Sequence, residues 1–135
     1  MKTVVVVDVA NVMGARADGW WRDRAGAAAR LCQEVSELAA RGVPDLPDAE
    51  FVLVLEGRSR GAASLLNVLY HSVRVIRAPG SGDDAIVTEA SSLVTSGASC
   101  LVVTADRELR RRCEAEGATI VGPTWLLGFI EAGNI

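Results

Sequence analysis

Asp8 closes the apolar run Val4-Val5-Val6-Val7, and Asn11 follows three residues later. Glu56 closes a second run, Phe51-Val52-Leu53-Val54-Leu55. Asp83 and Asp84 come after a third, Val73-Arg74-Val75-Ile76, and the turn-rich stretch Ala78-Pro79-Gly80-Ser81-Gly82. Asp106 comes after a fourth, Cys100-Leu101-Val102-Val103-Thr104. A charge at the end of a buried strand is costly unless something pairs with it. Carboxylates gathered in one place repel one another unless a cation sits between them. Oxygen donors without His or Cys suit a hard cation, Mg²⁺ or Mn²⁺. The single histidine, His71, falls outside the set, which argues against zinc.

The elements that would position these acids alternate in type. Short continuous apolar runs fit strands buried on both faces, as in parallel sheets. Between them Arg22 to Arg41 carries Ala25, Ala28, Ala29, Leu31, Cys32, Val35, Leu38 and Ala39 at helical spacing, stopped by Gly42 and Pro44. Val12 to Arg22 reads as a loop, and Ala62 to Tyr70 as a short helix. Further helices are expected over Ala85–Thr95, Arg107–Glu116 and Thr124–Ala132, with a fifth strand at Thr119–Val121. This order predicts one domain over residues 1–135. It is a three-layer α/β/α fold with a mostly parallel sheet of about five strands and right-handed crossovers. In such sheets ligands bind beyond the carboxyl ends of the strands, so Asp8, Glu56, Asp83, Asp84 and Asp106 share one edge.

Each acid also has a plainer role open to it. Asp83, Asp84 and Asp106 stand where helix caps stand. Glu56 can pair with Arg58 or Arg60, and Asn11 can serve as a turn residue. Three strand ends with the same habit are harder to explain by capping. A carboxylate cluster repels a polyanion, so a basic rim must supply attraction. The candidates are Arg16, Arg22 and Arg24 on the first loop and helix, Arg58 and Arg60 after the second strand, and Arg107. Trp20 and Trp21 can stack a base, and the competing role for Trp21 is to pack the loop onto the core. Arg110-Arg111-Arg112 reads as a solvated helix face.

Composition limits the alternatives. Half of the 135 residues are hydrophobic but only 4% are aromatic, so the core is built from Val, Leu, Ile and Ala. The net charge of −3 gives no support to a generally basic surface. Cys32, Cys100 and Cys113 match neither a zinc site nor a disulfide framework and read as reduced, buried thiols. Reduced thiols, no signal-peptide pattern after Lys2 and no span of about 18 apolar residues lead to the expectation of a cytoplasmic protein without membrane contact.

Three segments in register carry a family resemblance: Val7-Asp8-Val9-Ala10-Asn11, Gly82-Asp83-Asp84-Ala85-Ile86 and Val103-Thr104-Ala105-Asp106-Arg107-Glu108-Leu109. Together they resemble the NYN branch of the PIN-like nucleases, the bacterial YacP-like set in particular. The family has Asp-x-x-Asn after its first strand, an Asp-Asp pair opening a later helix, and Ser/Thr-x-Asp-Arg-Glu-Leu after the fourth strand. Two positions depart from the pattern. Val9 stands where the family often has glycine, and Arg110 where some relatives carry a further acid.

The resemblance implies a PIN-like fold and metal-dependent hydrolysis of RNA. Asp8, Asp83, Asp84 and Asp106 would ligate Mg²⁺ or Mn²⁺, Glu56 would be an additional acid, and Asn11 would position water or a phosphate oxygen. RNA would be the substrate. A homodimer, through Trp125 to Ile130, and a ribosome or RNA-processing partner stay open. The rivals are a structure-specific DNA nuclease and a non-catalytic RNA-binding or assembly module. A haloacid-dehalogenase-type phosphatase would need an acid where Ala10 stands. A response-regulator receiver would need a lysine near the last strand, whereas Lys2 is the chain's one lysine.

Overall fold

The computed structural model describes residues 2–66 and 68–133, with the side chain of Arg58 left out. Five strands form one all-parallel sheet: β1 (Thr3–Asp8), β2 (Glu50–Leu55), β3 (Val73–Arg77), β4 (Ser99–Val103) and β5 (Thr119–Val121). Their spatial order is β3-β2-β1-β4-β5. β1 is therefore central, with Val5 opposite Phe51 on one side and Leu101 on the other. Val4 to Val7 are all essentially inaccessible, as a strand covered on both faces requires.

Side-chain alternation along β1 divides the core in two. Val5 and Val7 join a cluster with helices α1 (Val9–Gly14), α2 (Arg24–Arg41) and α5 (Pro123–Ala132). Val4 and Val6 join a second cluster with α3 (Gly82–Thr95) and α4 (Arg107–Ala115). The three-layer α/β/α architecture expected from the sequence is the one observed. Leu126, Leu127 and Ile130 of α5 are buried, which makes this segment core.

Several local readings need correction. The chain does not loop after Asp8 but turns at once into α1, because the Asp8 carboxylate accepts from the backbone N–H of Asn11 and caps that helix. Val9 is fully buried at its start, so the residue that departs from the family's glycine fills core. Residues Gly57–Leu65 form a 3₁₀ helix, which takes in only Ala62 to Leu65 of the expected helix Ala62 to Tyr70, and among the described residues no α-helix lies there. Asn67, inside that expected helix, lies outside the described residues. α2 opens at Arg24, capped by Asp23. α3 opens at Gly82, capped by Ser81, so Asp83 and Asp84 lie in its first turn and neither caps it.

The two tryptophans exchange their expected parts. Trp20 packs against the core cluster, under the Arg24 guanidinium at 5.2 Å. Trp21 is 56% exposed, with Arg22 over its ring at 5.7 Å. The three cysteines are free and buried. Among the described residues no helix is long and apolar enough to cross a membrane.

Candidate functional site

Asp8, the last residue of β1, is 6% exposed. Its Oδ2 accepts from the Thr104 hydroxyl at 3.0 Å, and its Oδ1 from the Asn11 N–H at 3.4 Å. Burial pushes its pKa from 3.8 up to about 6. The Thr104 and Asn11 hydrogen bonds pull the other way, and the Asp83 and Glu56 charges add to the rise.

Thr104 ties two strand ends together. Its side chain, 3% exposed, donates its one proton to Asp8 and accepts the N–H of Asp106 at 3.2 Å. Asp106 in turn caps α4, its Oδ1 accepting from Leu109 N–H at 3.0 Å. The Asn11 Oδ1 accepts from Ala105 N–H at 2.8 Å. An N–H facing this side chain requires the oxygen there, which leaves the amide nitrogen for other partners. α1 and the segment entering α4 are thus joined by two side chains, Thr104 and Asn11.

On the other flank of β1, Glu56 follows β2. Its Oε2 accepts from Gly82 N–H at 2.8 Å and holds the start of α3 in place. Glycine permits this close approach, since a Cβ on Gly82 would sit 2.7 Å from the Glu56 carboxyl carbon and push that side chain aside. In the adjoining turn of α3, Asp83 is half-buried, and its pKa is raised by burial and by the neighbouring charges of Asp106 and Glu56. Asp83 therefore stands in the joint field of Asp8, Glu56 and Asp106. Asp84, about 100° further round the helix, is exposed and bound to Arg112 of α4 at 2.7 Å.

The structure thus brings Asp8, Glu56, Asp83 and Asp106 to one edge and engages Asp84 elsewhere. The donor chemistry fits a hard divalent cation: oxygen ligands only, with neighbouring negative charges that add to the raised pKa of Asp8 and of Asp83. It is not a closed cage. Among the described residues, no three His, Cys, Asp or Glu side chains are gathered tightly enough to hold an ion by themselves. Mg²⁺ often takes only one or two carboxylates and completes its shell with water and substrate phosphate.

This edge belongs to a YacP-like fold. Rae1 (YacP) from Bacillus subtilis superposes with a TM-score of 0.71 at 20% identity, over 96% of this chain and 74% of its own. A point mutant of the same protein gives 0.71 at 19% identity, over 98% and 76%. The likeness is one of fold. The sequence itself matches no protein-family model and no curated protein.

The basic candidates fare unevenly. Arg16 forks onto Glu34 at 2.6 and 3.2 Å, a pair that joins the end of α1 to α2, so its charge is already balanced within the fold. Trp20 is engaged in packing. Arg22 and Arg107 are exposed. Arg60 reaches the carbonyls of Gly57 and Ala78 and does not pair with Glu56. The side chain of Arg58 lies outside the described residues. Arg110 and Arg111 pair with Glu114 and Glu108 on their own helix, whereas Arg112 crosses to Asp84.

Sequence reasoning missed two participants. Thr104 carried a signal, the Thr-x-Asp spacing that lets one hydroxyl meet both a strand-end acid and the following cap. Arg112 carried none, because its partner lies on another helix.

Proposed function

We propose that this chain is a divalent-metal-dependent ribonuclease that hydrolyses RNA phosphodiester bonds at the acidic edge of its sheet. The observation that carries the reading is the meeting of Asp8, Glu56, Asp83 and Asp106 at one edge, with Asp8 buried and its pKa pushed to about 6. Ionised carboxylates so placed are unfavourable without a cation. The YacP-like fold and the three motifs in register support RNA as the substrate.

Asp8, Asp83 and Asp106 are the residues that would hold Mg²⁺ or Mn²⁺. The cation, when bound, supplies positive charge beside the scissile phosphate and eases deprotonation of the attacking water. Thr104 fixes the Asp8 carboxylate and the backbone of Asp106 relative to each other. Asn11 holds the Ala105 backbone with its oxygen and offers its amide nitrogen to a phosphate oxygen or a water. Glu56 keeps α3, and with it Asp83, against the edge. Asp84 acts through its pair with Arg112, which braces α3 against α4.

A second reading, a non-catalytic RNA-binding module, has one observation on its side: the absence of a ready-made metal cage among the described residues. One experiment separates the two. Purified protein is incubated with single-stranded and structured RNA, and with DNA of the same sequence, in Mg²⁺ or Mn²⁺ and in EDTA. The reading expects RNA cleavage that EDTA and Asp83→Asn each abolish and Asp84→Asn largely spares. Cleavage that persists in EDTA and in Asp83→Asn overturns it. RNA binding without cleavage under any metal favours the module.

A further inference from the structure

Beside the acidic edge lies an open cleft of about 530 Å³ lined by Gly57, Arg60, Gly61 and Arg77. Two guanidinium groups and two glycines make its wall, with no acid among the lining residues. Six other arginines are balanced by an acid instead. Arg16, Arg30, Arg74, Arg110, Arg111 and Arg112 each meet a carboxylate, in a chain of net charge −3. Two cations sharing one cleft without a counter-charge repel each other and favour an anion between them.

The cleft is also organised. The Arg60 Nε and Nη1 donate to the carbonyls of Gly57 and Ala78 at 3.3 and 3.4 Å. These bonds set the plane of the guanidinium and use two of its five donors, leaving three for a ligand. Arg77 is the last residue of β3, paired in register with Leu55, the residue before Glu56. It is exposed. The Ala78 N–H donates to the Leu55 carbonyl at 2.8 Å, which locks the two strand ends side by side. The absence of side chains on Gly57 and Gly61 leaves the opening clear. The cleft therefore sits at the same C-terminal edge as the acids, on the β2–β3 side.

We infer that Arg60 and Arg77 form a phosphate clamp that holds the RNA backbone beside the acidic edge, so that the substrate strand runs across the ends of β2 and β3. Planar guanidinium groups fit phosphate oxygens in pairs. A strand anchored there presents a neighbouring phosphate to Glu56, Asp83 and Asp8. The clamp offsets the repulsion that the acidic edge exerts on a polyanion. It rests on the ribonuclease reading above but makes a separate claim about binding.

The test is binding without catalysis. A fluorescein-labelled single-stranded 12-nucleotide RNA is titrated by anisotropy in EDTA at several salt concentrations. Arg77→Gln is expected to weaken binding about 5- to 10-fold at low salt and to reduce the slope of log K against log salt by about 0.7, one phosphate contact of a single strand. Arg77→Lys keeps the slope. Arg74→Gln, which removes a charge that is also exposed on the same strand but paired with Glu89, should bind like wild type. Equal binding by Arg77→Gln and wild type, or equal loss in Arg74→Gln, overturns the clamp, and metal-dependent cleavage would then stand without it. Failure of the wild type to bind the RNA in EDTA also overturns it. Cleavage in metal then shows whether the ribonuclease reading falls with it.

Discussion

Replacing Asp8 by Asn should make the metal-free protein more stable at neutral pH. In the folded chain the Asp8 pKa is raised from 3.8 to about 6, so the fold favours the protonated form. The stability associated with that form is fully present below pH 3.8 and is lost as pH rises through about 6. A rise of this size corresponds to roughly 3 kcal/mol at pH 7. Asn carries no charge and still accepts from Thr104. Its amide nitrogen, however, cannot accept from the Asn11 N–H, a loss of about 1 kcal/mol. The net gain is about 2 kcal/mol, or about 6 °C in Tm for a domain of this size.

The assay is thermal unfolding of wild type and Asp8→Asn in EDTA between pH 4 and pH 8. The difference in Tm should be small at pH 4, widen to about pH 6 and level off above it. Addition of Mg²⁺ or Mn²⁺ should raise the wild-type Tm and leave the variant nearly unmoved. A variant less stable than wild type at pH 7 in EDTA, or a gap that does not change with pH, refutes the electrostatic reasoning at this residue.

Three further outcomes follow from neighbouring contacts. Thr104→Val removes the bond that most lowers the Asp8 pKa and orphans the Asp106 N–H; it should cost about 1–3 kcal/mol in denaturant unfolding, while Thr104→Ser stays near wild type. Gly82→Ala places a Cβ 2.7 Å from the Glu56 carboxyl carbon and should cost about 1–3 kcal/mol, with much of the loss recovered by adding Glu56→Ala. Trp20→Ala should lower stability by about 2 kcal/mol, whereas Trp21→Ala should stay within about 0.5 kcal/mol of wild type; chemical unfolding of both variants checks the exchange of roles.

The strands were legible because a parallel sheet covered on both faces demands unbroken apolar runs, and Val4 to Val7 or Phe51 to Leu55 allow little else. The shared edge for the acids followed from the parallel order alone. What stayed hidden depended on rotation and partner. Asp83 and Asp84 are adjacent in sequence, yet a turn of about 100° sends one to the edge and the other to Arg112. Helix α1 was illegible because Val9-Ala10-Asn11-Val12 has poor helix propensity and forms through the Asp8 cap and the burial of Val9 and Val12. Trp20 and Trp21 have identical chemistry and sit side by side in a 3₁₀ turn, Trp20–Arg22, that sends Trp20 onto the core and Trp21 to solvent. Thr104 ended its apolar run and read as the close of a strand, although its hydroxyl joins Asp8 to Asp106.

The central place of β1 also governs the order in which the protein can be assembled during synthesis. β1 precedes both of its neighbours in the chain: β2 begins at Glu50, and Thr3 pairs with Ser99 of β4. Until β4 leaves the ribosome, β1 exposes an unpaired apolar edge of the kind that recruits other chains. Contacts so distant in sequence also close slowly. The nascent chain thus carries an aggregation hazard in β1 until β4 has been made. Asp8 gains the Thr104 hydroxyl only when β4 is in place, so the acidic edge is among the last parts of the molecule to exist.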